Sequence, residues 1–250
     1  MKITIITVVR NNEKTIKDAI NSVLSQTYDK IEYIIIDGES KDKTLHIIDN
    51  YKDKLGNFIS EKDYGIYDAM NKGIEMSNGD IIGILNSDDL YYNNNIIDLI
   101  MNEFISNPSL DMIYGNLVYV KSDNVNKIIR YWKTRSYYKK YFEHGNVPPH
   151  PTLFLKKNVY DQVGYFNLNF KLAADYEFML RVFKKYNYKS KYINKTFVKM
   201  RLGGATNKTY TNILKQNIEI LNTWKYNGFR LPFFLIPMRF IIKLKQYIYK

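Results

Sequence analysis

Two adjacent carboxylates close an apolar run in IIGILNSDD, residues 81–89. Asp88 and Asp89 repel one another, and each loses hydration if the strand before them is buried. Something positive belongs there: a metal ion, a Lys or Arg, or only solvent. Carboxylate oxygens suit hard divalent cations such as magnesium or manganese, which keep open positions for substrate phosphates. An N-cap for the next helix or an acidic turn explains one acid, not two. Other segments pose similar choices. Asp37-Gly38 with Ser40 offers a carboxylate to a base or ribose, or merely a capping turn. SEKDYGIYDAMNKGI, residues 60–74, crowds Lys62, Asp63, Asp68, Asn71 and Lys72 onto a short helix and its entry. In AADYEFMLR, residues 173–181, Asp175 opens a helix whose dipole favours the ionised carboxylate that a general base needs. Simple capping explains Asp175 equally well, and Glu177 with Arg181 reads as an i, i+4 pair. His150 is held between prolines in PPHPT, which fix its direction, although a lone His in a rigid turn is usually structural.

The surrounding pattern says how these residues are positioned. ITIITVV at 3–9 and IEYIIID at 31–37 read as buried strands, NFIS at 57–60 as a short one and IIGILN at 81–86 as a fourth. Between them lie helices with apolar faces Ile16, Ala19, Ile20, Val23, Leu24, then Leu45, Ile48, Tyr51, then Ile66, Ala69, Met70, Ile74. The last is expected to stop at Asn78-Gly79. Alternating strands and helices predict an α/β fold with a mostly parallel sheet flanked by helices. Ligands in such sheets sit at the carboxyl ends of the strands, where both Asp37 and Asp88-Asp89 fall.

The pattern then loosens. A helix is expected near 93–105, strands at 111–120 and 127–132, and a strand after the VPPHP turn. A helix at 175–186 is expected to bury Met179, Val182, Phe183 and Tyr186, and TFVKMRLGGAT reads as a strand ending in a glycine pair. The chain has 250 residues, 45% of them hydrophobic, enough for one large domain with an appendage. It has no cysteine, which excludes disulfides and thiolate metal sites and suits a cytoplasmic protein. MKITIITVVRNNEK does not read as a signal peptide, and no apolar run is long enough to span a membrane.

Taken together, ITIITVVRNNEKTIKDAINSVLSQTY, EYIIIDGESKDKT, GIYDAMNKGI, GDIIGILNSDDLY and ADYEFMLR resemble glycosyltransferase family 2 on the GT-A fold, the type that builds bacterial surface polysaccharides. The resemblance covers about residues 1–205. It implies a GT-A domain with a nucleotide-sugar half (1–110) and an acceptor half (111–205), followed by a basic amphipathic helical extension (206–250). It further implies inverting transfer from a nucleotide-sugar, with UDP expected, to a saccharide acceptor of the lipid-linked kind. Val9, Arg10, Asn11 and Asp37 correspond to the nucleotide loop, and Asp68 and Lys72 to the segment facing nucleotide and donor sugar. Asp88 and Asp89 match the metal motif, with Asp89 the expected ligand of manganese or magnesium. Asp175 stands at the general base and His150 on the acceptor side. Arg201, Lys208 and the backbone at Gly203-Gly204 are expected by the diphosphate, in a loop that closes over it. The sequence departs from the pattern at Asn86, where relatives carry the first acid of D-x-D, and at Ala174.

Net charge is +12, and residues 206–250 hold eight Lys/Arg against one Glu. FRLPFFLIPMRFIIKLKQYIYK reads as a helix lying in an anionic membrane interface, which would place the protein on the inner face of the cell membrane, or as a helix docked on the domain with snorkelling lysines. Nucleic acid is not an expected partner, because the basic residues gather in a Phe/Ile-rich tail and not on a stacking platform. A sugar-phosphate nucleotidyltransferase needs a glycine-rich phosphate loop after the first strand, and VVRNNEKT has no glycine. A non-catalytic nucleotide- or glycan-binding module remains the other alternative.

Overall fold

All seven residues of β1 (Ile3–Val9) are buried. Ile3, Ile5 and Val9 face one apolar layer, and Ile6 and Val8 face the other. A strand apolar on both sides belongs in the middle of a sheet covered on both faces, and that is its place. The structure, a computed structural model, describes residues 1–203 and 210–248. β1 is followed by α1 (Ile16–Leu24), β2 (Ile31–Asp37), α2 (Thr44–Asp49), β3 (Asn57–Ser60), α3 (Ile66–Met76), β4 (Ile81–Ile84), β5 (Leu90–Tyr91), α4 (Ile96–Ser106), β6 (Met112–Val120) and β7 (Ile128–Trp132). Then come β8 (Phe154–Lys156), α5 (Lys157–Val163), α6 (Ala174–Leu180), β9 (Ser190–Arg201), α7 (Tyr210–Tyr226) and α8 (Leu235–Ile248).

The sheet runs β3-β2-β1-β4-β8-β6-β9-β5, with β7 paired to β6. The first four strands in this order are parallel. β8 opposes β4 and β6, and β9 runs parallel to β6, so only β5, β7 and β8 run against the rest. This is the mostly parallel α/β sheet that the sequence predicts. Its order reverses at β1, since β2 lies on one side and β4 on the other. That reversal opens a crevice at the carboxyl ends of β1, β2 and β4.

Several local readings change. Ile66 is 46% exposed, because it is the first residue of α3 and lies over the rim. Tyr186 is likewise 46% exposed, as α6 passes into a π turn at Arg181–Lys185 that rotates it outward. α3 ends at Met76 with an extended Ser77, before Asn78-Gly79. Gly79 instead serves a close approach: a Cβ there would fall 2.5 Å from the Thr4 backbone nitrogen. β5 and α5 were not expected from the sequence.

The amino ends of the strands are tied by Glu32, which is 8% exposed. The Asn78 N–H donates to it at 2.7 Å, the Lys2 ammonium lies 2.8 Å away and the Thr4 hydroxyl also donates. Burial alone would raise its pKa, but Lys2, Thr4 and Asn78 outweigh burial and hold it at about 2. A carboxyl depressed from 4.5 adds stability above its unfolded pKa and loses it as pH falls toward 2. Glu32→Gln is therefore expected to lower Tm by on the order of 4 °C at neutral pH. In thermal melts, the gap between the two proteins should close as the pH is taken down from about 5.

Candidate active site

The crevice wall begins where β1 and β2 end. Asp37 is fully buried as the last residue of β2. It accepts from the Ser40 N–H at 3.0 Å, from the Ser40 hydroxyl, and from the Ser60 hydroxyl at 2.7 Å. The Ser40 oxygen in turn accepts from the Asn11 N–H at 2.8 Å, and the Lys41 N–H donates to Asn11 Oδ1 at 2.7 Å. Val9, Arg10 and Asn11 are thus brought against Asp37. Both facing loops hold left-handed backbone, Asn11 at φ 50° and Glu39 at φ 56°. Glu39 has a Cβ that disfavours this region, and such strain clusters where a loop must hold a fixed shape. Gly38 lies under the Asp63 carboxylate, 2.1 Å from where a Cβ would be, with the Arg10 side chain alongside.

The β4 loop joins the same crevice. Asn12 Nδ2 donates to Ser87 Oγ at 2.9 Å, and the Thr15 hydroxyl donates to the Ser87 carbonyl at 3.0 Å. The turn is closed by the Asp89 N–H donating to the Asn86 carbonyl at 3.0 Å. Asp89 is completely buried and Asp88 partly so. Asn86 Nδ2 donates to Asp89 Oδ2 at 3.1 Å, while Asp89 Oδ1 and Asn86 Oδ1 are buried with no hydrogen-bond partner. Burial, then the neighbouring Asp88, push the Asp89 pKa well up, and Asn86 and Arg201 only partly oppose them. Two orphaned oxygens beside a strained carboxyl fit a divalent cation. Among the described residues no three His, Asp or Glu side chains gather into a metal cluster. Magnesium and manganese need no more than one or two carboxylates when phosphates and water complete the shell. Asn86, the departure from D-x-D that leaves the turn one charge short, contributes one of those orphaned oxygens.

Arg201 reaches this turn from the end of β9, set there by the Val120–Arg201 pairing. Its Nη1 donates to the Asp88 carbonyl at 2.9 Å and its Nη2 pairs with Asp18 on α1. It clamps the turn. Gly203 lies just beyond, exposed at φ 111°, whereas Gly204 and Lys208 lie outside the described residues.

The opposite wall is α3 and α6. The Tyr67 hydroxyl, on the first turn of α3, donates to Asp175 Oδ1 at 3.0 Å. That bond brings Asp175, half-buried on the first turn of α6, to the rim at which β3 ends. His150 is close enough to feel the Asp175 charge, while burial pulls its pKa down and keeps the ring neutral. It packs edge-on to Phe166. α6 is anchored from the tail: Glu219 of α7 accepts from the N–H groups of Lys171, Leu172 and Ala173 at 2.8–3.2 Å. Glu177 pairs with Arg181 at 2.8 Å as expected, and Asn227, just past α7, also donates to it at 3.0 Å. Asp68 and Lys72 are engaged locally. Lys72 pairs with Glu61 at 2.7 Å and with Asp68 at 3.5 Å, and Asp68 Oδ2 accepts the Tyr64 N–H.

Sequence reasoning missed Tyr67 and Arg239. Tyr67 stands inside a quoted motif next to Asp68, and its helical position one step inward was the available signal. Arg239 of α8 lies 5.0 Å from the Tyr176 ring centroid, with Nη1 buried and unpartnered. Burial lowers its pKa, and Tyr176 and Asp175 oppose that shift.

The sequence pattern described as Glycosyl transferase family 2 matches residues 4–197, a span that holds every element from β1 to all but the end of β9. The chain belongs to glycosyltransferase family 2. Similar members include a PGL/p-HBAD biosynthesis glycosyltransferase of Mycobacterium tuberculosis, 25% identical over 87% of this chain and 82% of its own length. An uncharacterized glycosyltransferase of Rickettsia typhi is 30% identical over 86% of this chain and 68% of its own. Among solved structures, residues 1–349 of Staphylococcus aureus TarS in complex with UDP-GlcNAc superpose with a TM-score of 0.66 at 18% identity, covering 97% of this chain and 79% of that fragment. A Pyrobaculum calidifontis mannosyltransferase in complex with GDP-Man and Mn2+ gives 0.63 at 14% identity, over 100% and 76%. This chain shares the GT-A-like architecture of these structures.

Proposed function

We propose that the chain is an inverting glycosyltransferase that moves a hexosyl or N-acetylhexosaminyl group from a UDP-sugar. The acceptor is a hydroxyl of a lipid-linked saccharide, in cell-surface polysaccharide synthesis at the inner face of the membrane. One observation carries this reading. Asp37, the Asn86–Asp89 turn and Asp175 lie on one rim of the sheet, with orphaned oxygens on one wall and an oriented carboxylate on the other.

In this reading Val9–Asn11 and Asp37 bind the nucleoside, in a loop already shaped by Ser40. Asp68 and Lys72 lie beside the donor. Asp89, with Asp88 and Asn86 beside it, would hold manganese or magnesium, which supplies positive charge to the leaving diphosphate. Arg201 keeps the turn in shape and adds its own charge nearby. Asp175 takes the proton from the acceptor hydroxyl as that oxygen attacks the anomeric carbon. Tyr67 occupies one oxygen of Asp175 and leaves the other for the acceptor. The bond to the diphosphate breaks as the new glycosidic bond forms, so a single displacement inverts the carbon. His150, neutral, lines the acceptor side.

The metal, UDP and lipid elements draw support from the relatives: TarS is described with UDP-GlcNAc, the mannosyltransferase with Mn2+, and the mycobacterial protein with PGL biosynthesis. A donor screen by nucleotide release tests the reading. UDP-sugars should turn over in the presence of manganese and acceptor. Absence of release from every sugar nucleotide tried, UDP- and GDP-linked alike, would sink it.

A further inference from the structure

α8 buries a mixed face. Leu235 is wholly buried, Met238, Arg239 and Ile242 are half-buried, and Gln246 is 8% exposed. A Cβ on Gly145 would lie 2.7 Å from the Arg239 backbone nitrogen, so the helix sits hard against the 136–147 loop. Further along, Arg130 of β7 lies 3.6 Å from the Tyr119 ring centroid, and its Nη1 donates to the Tyr247 hydroxyl at 3.4 Å. The outer face holds Phe240 at 57% exposure, Ile241 at 46%, Leu244 at 62% and Tyr247 at 49%. Positions 240, 241, 244 and 247 form one helical stripe. Phe233 (90%) and Phe234 (66%) lead into it. A surface helix ordinarily buries its apolar stripe and shows its polar one. Here the cation faces the protein and the phenylalanines face out.

The charge around the stripe names the partner. Lys243 and Lys245 are exposed on the same helix, which carries no acid. The one acid in residues 206–250, Glu219, is spent capping α6. No described helix is long and apolar enough to cross a membrane. A short helix with an aromatic and aliphatic outer face, ringed by lysines and free of acids, is built to lie in an anionic interface.

We propose that α8, with Phe233 and Phe234, is a docking surface for anionic lipid bilayers, inserting Phe233, Phe234, Phe240, Ile241 and Leu244 among the acyl chains, while Tyr247 stays against Arg130 at the edge of the stripe. The proposal rests for its purpose on the reading of a lipid-linked acceptor, but the surface is testable without it. The inner face of the same helix carries Arg239 to the neighbourhood of Asp175. Docking therefore brings the acceptor wall to the membrane plane, where a lipid-linked hydroxyl is presented.

The test is co-sedimentation of the full chain with phosphatidylcholine vesicles containing about one-third phosphatidylglycerol. The parent should bind these, bind pure phosphatidylcholine weakly, and be released by salt. Phe240→Glu with Leu244→Glu should cut vesicle affinity by at least ~10-fold. Lys243→Gln with Lys245→Gln should blunt the preference for anionic lipid. All these side chains are exposed, so Tm and UDP binding should stay at parent values, which separates failure of docking from failure of the donor reading. Equal binding by parent and the double Glu variant would overturn the proposal. So would a parent that ignores vesicles and sediments as a dimer made monomeric by the Glu pair, since a second copy would then cover the stripe.

Discussion

Asp175→Asn should bind UDP as the parent does and transfer almost no sugar. The amide keeps the shape of the carboxyl, and its oxygen still accepts the Tyr67 hydroxyl. The substitution therefore removes the proton-accepting charge while leaving the wall in place, and Tm should move little. A positioned general base contributes roughly 10²–10⁴-fold, so the transfer rate should fall by about 1,000-fold. UDP affinity measured by calorimetry should be unchanged, because the nucleoside wall is built from Asn11, Ser40 and Asp37 at the ends of β1 and β2, away from α6. Near-parent turnover would remove Asp175 from the chemistry and leave it as the residue that positions Tyr67. Reduced transfer with an equal loss of UDP binding would also count against the role, since a base acts after the donor is bound.

How much of this was legible depends on whether the signal was local. β1, β2 and β4 announce themselves, because a strand buried on both faces has no polar alternation to confuse it, and the acids that close β2 and follow β4 then fall at a rim by topology. β5 could not be read. Two residues have no period, and Leu90-Tyr91 becomes a strand only because β9 pairs with it. Gly79 was read as a helix stop when its real constraint comes from Thr4, 75 positions away in sequence. Asp175 could not be separated from a capping residue by its own segment. Tyr67 orients it, and that contact joins residues 108 positions apart. The tail was open in a different way. Its periodicity was visible, but period alone does not say which stripe packs. Here the domain offered the Tyr176 ring to Arg239, and that cation turned inward.

Asp89→Asn should be the more diagnostic of the two large losses, because it separates stability from binding. In metal-free buffer, the parent buries a carboxyl that has one unpartnered oxygen and Asp88 beside it. A neutral amide of the same shape relieves that burden, so the variant should melt at the parent temperature or slightly above. With manganese present the order should reverse. A cation that binds the folded state raises Tm in proportion to its affinity. The parent should therefore gain Tm and UDP affinity from manganese, and the variant should gain neither. Substitutions of groups that merely support a metal ligand cost roughly 10–100-fold in affinity, so removal of the ligand itself should cost at least ~100-fold. Asn86→Asp gives the converse. It adds a charge at the second orphaned oxygen, and it should tighten manganese while lowering metal-free stability, as three carboxyls then crowd one turn. A melting temperature for Asp89→Asn that still climbs with manganese as the parent's does would assign the metal elsewhere. The orphaned oxygens of the turn would then have to be met by the donor itself.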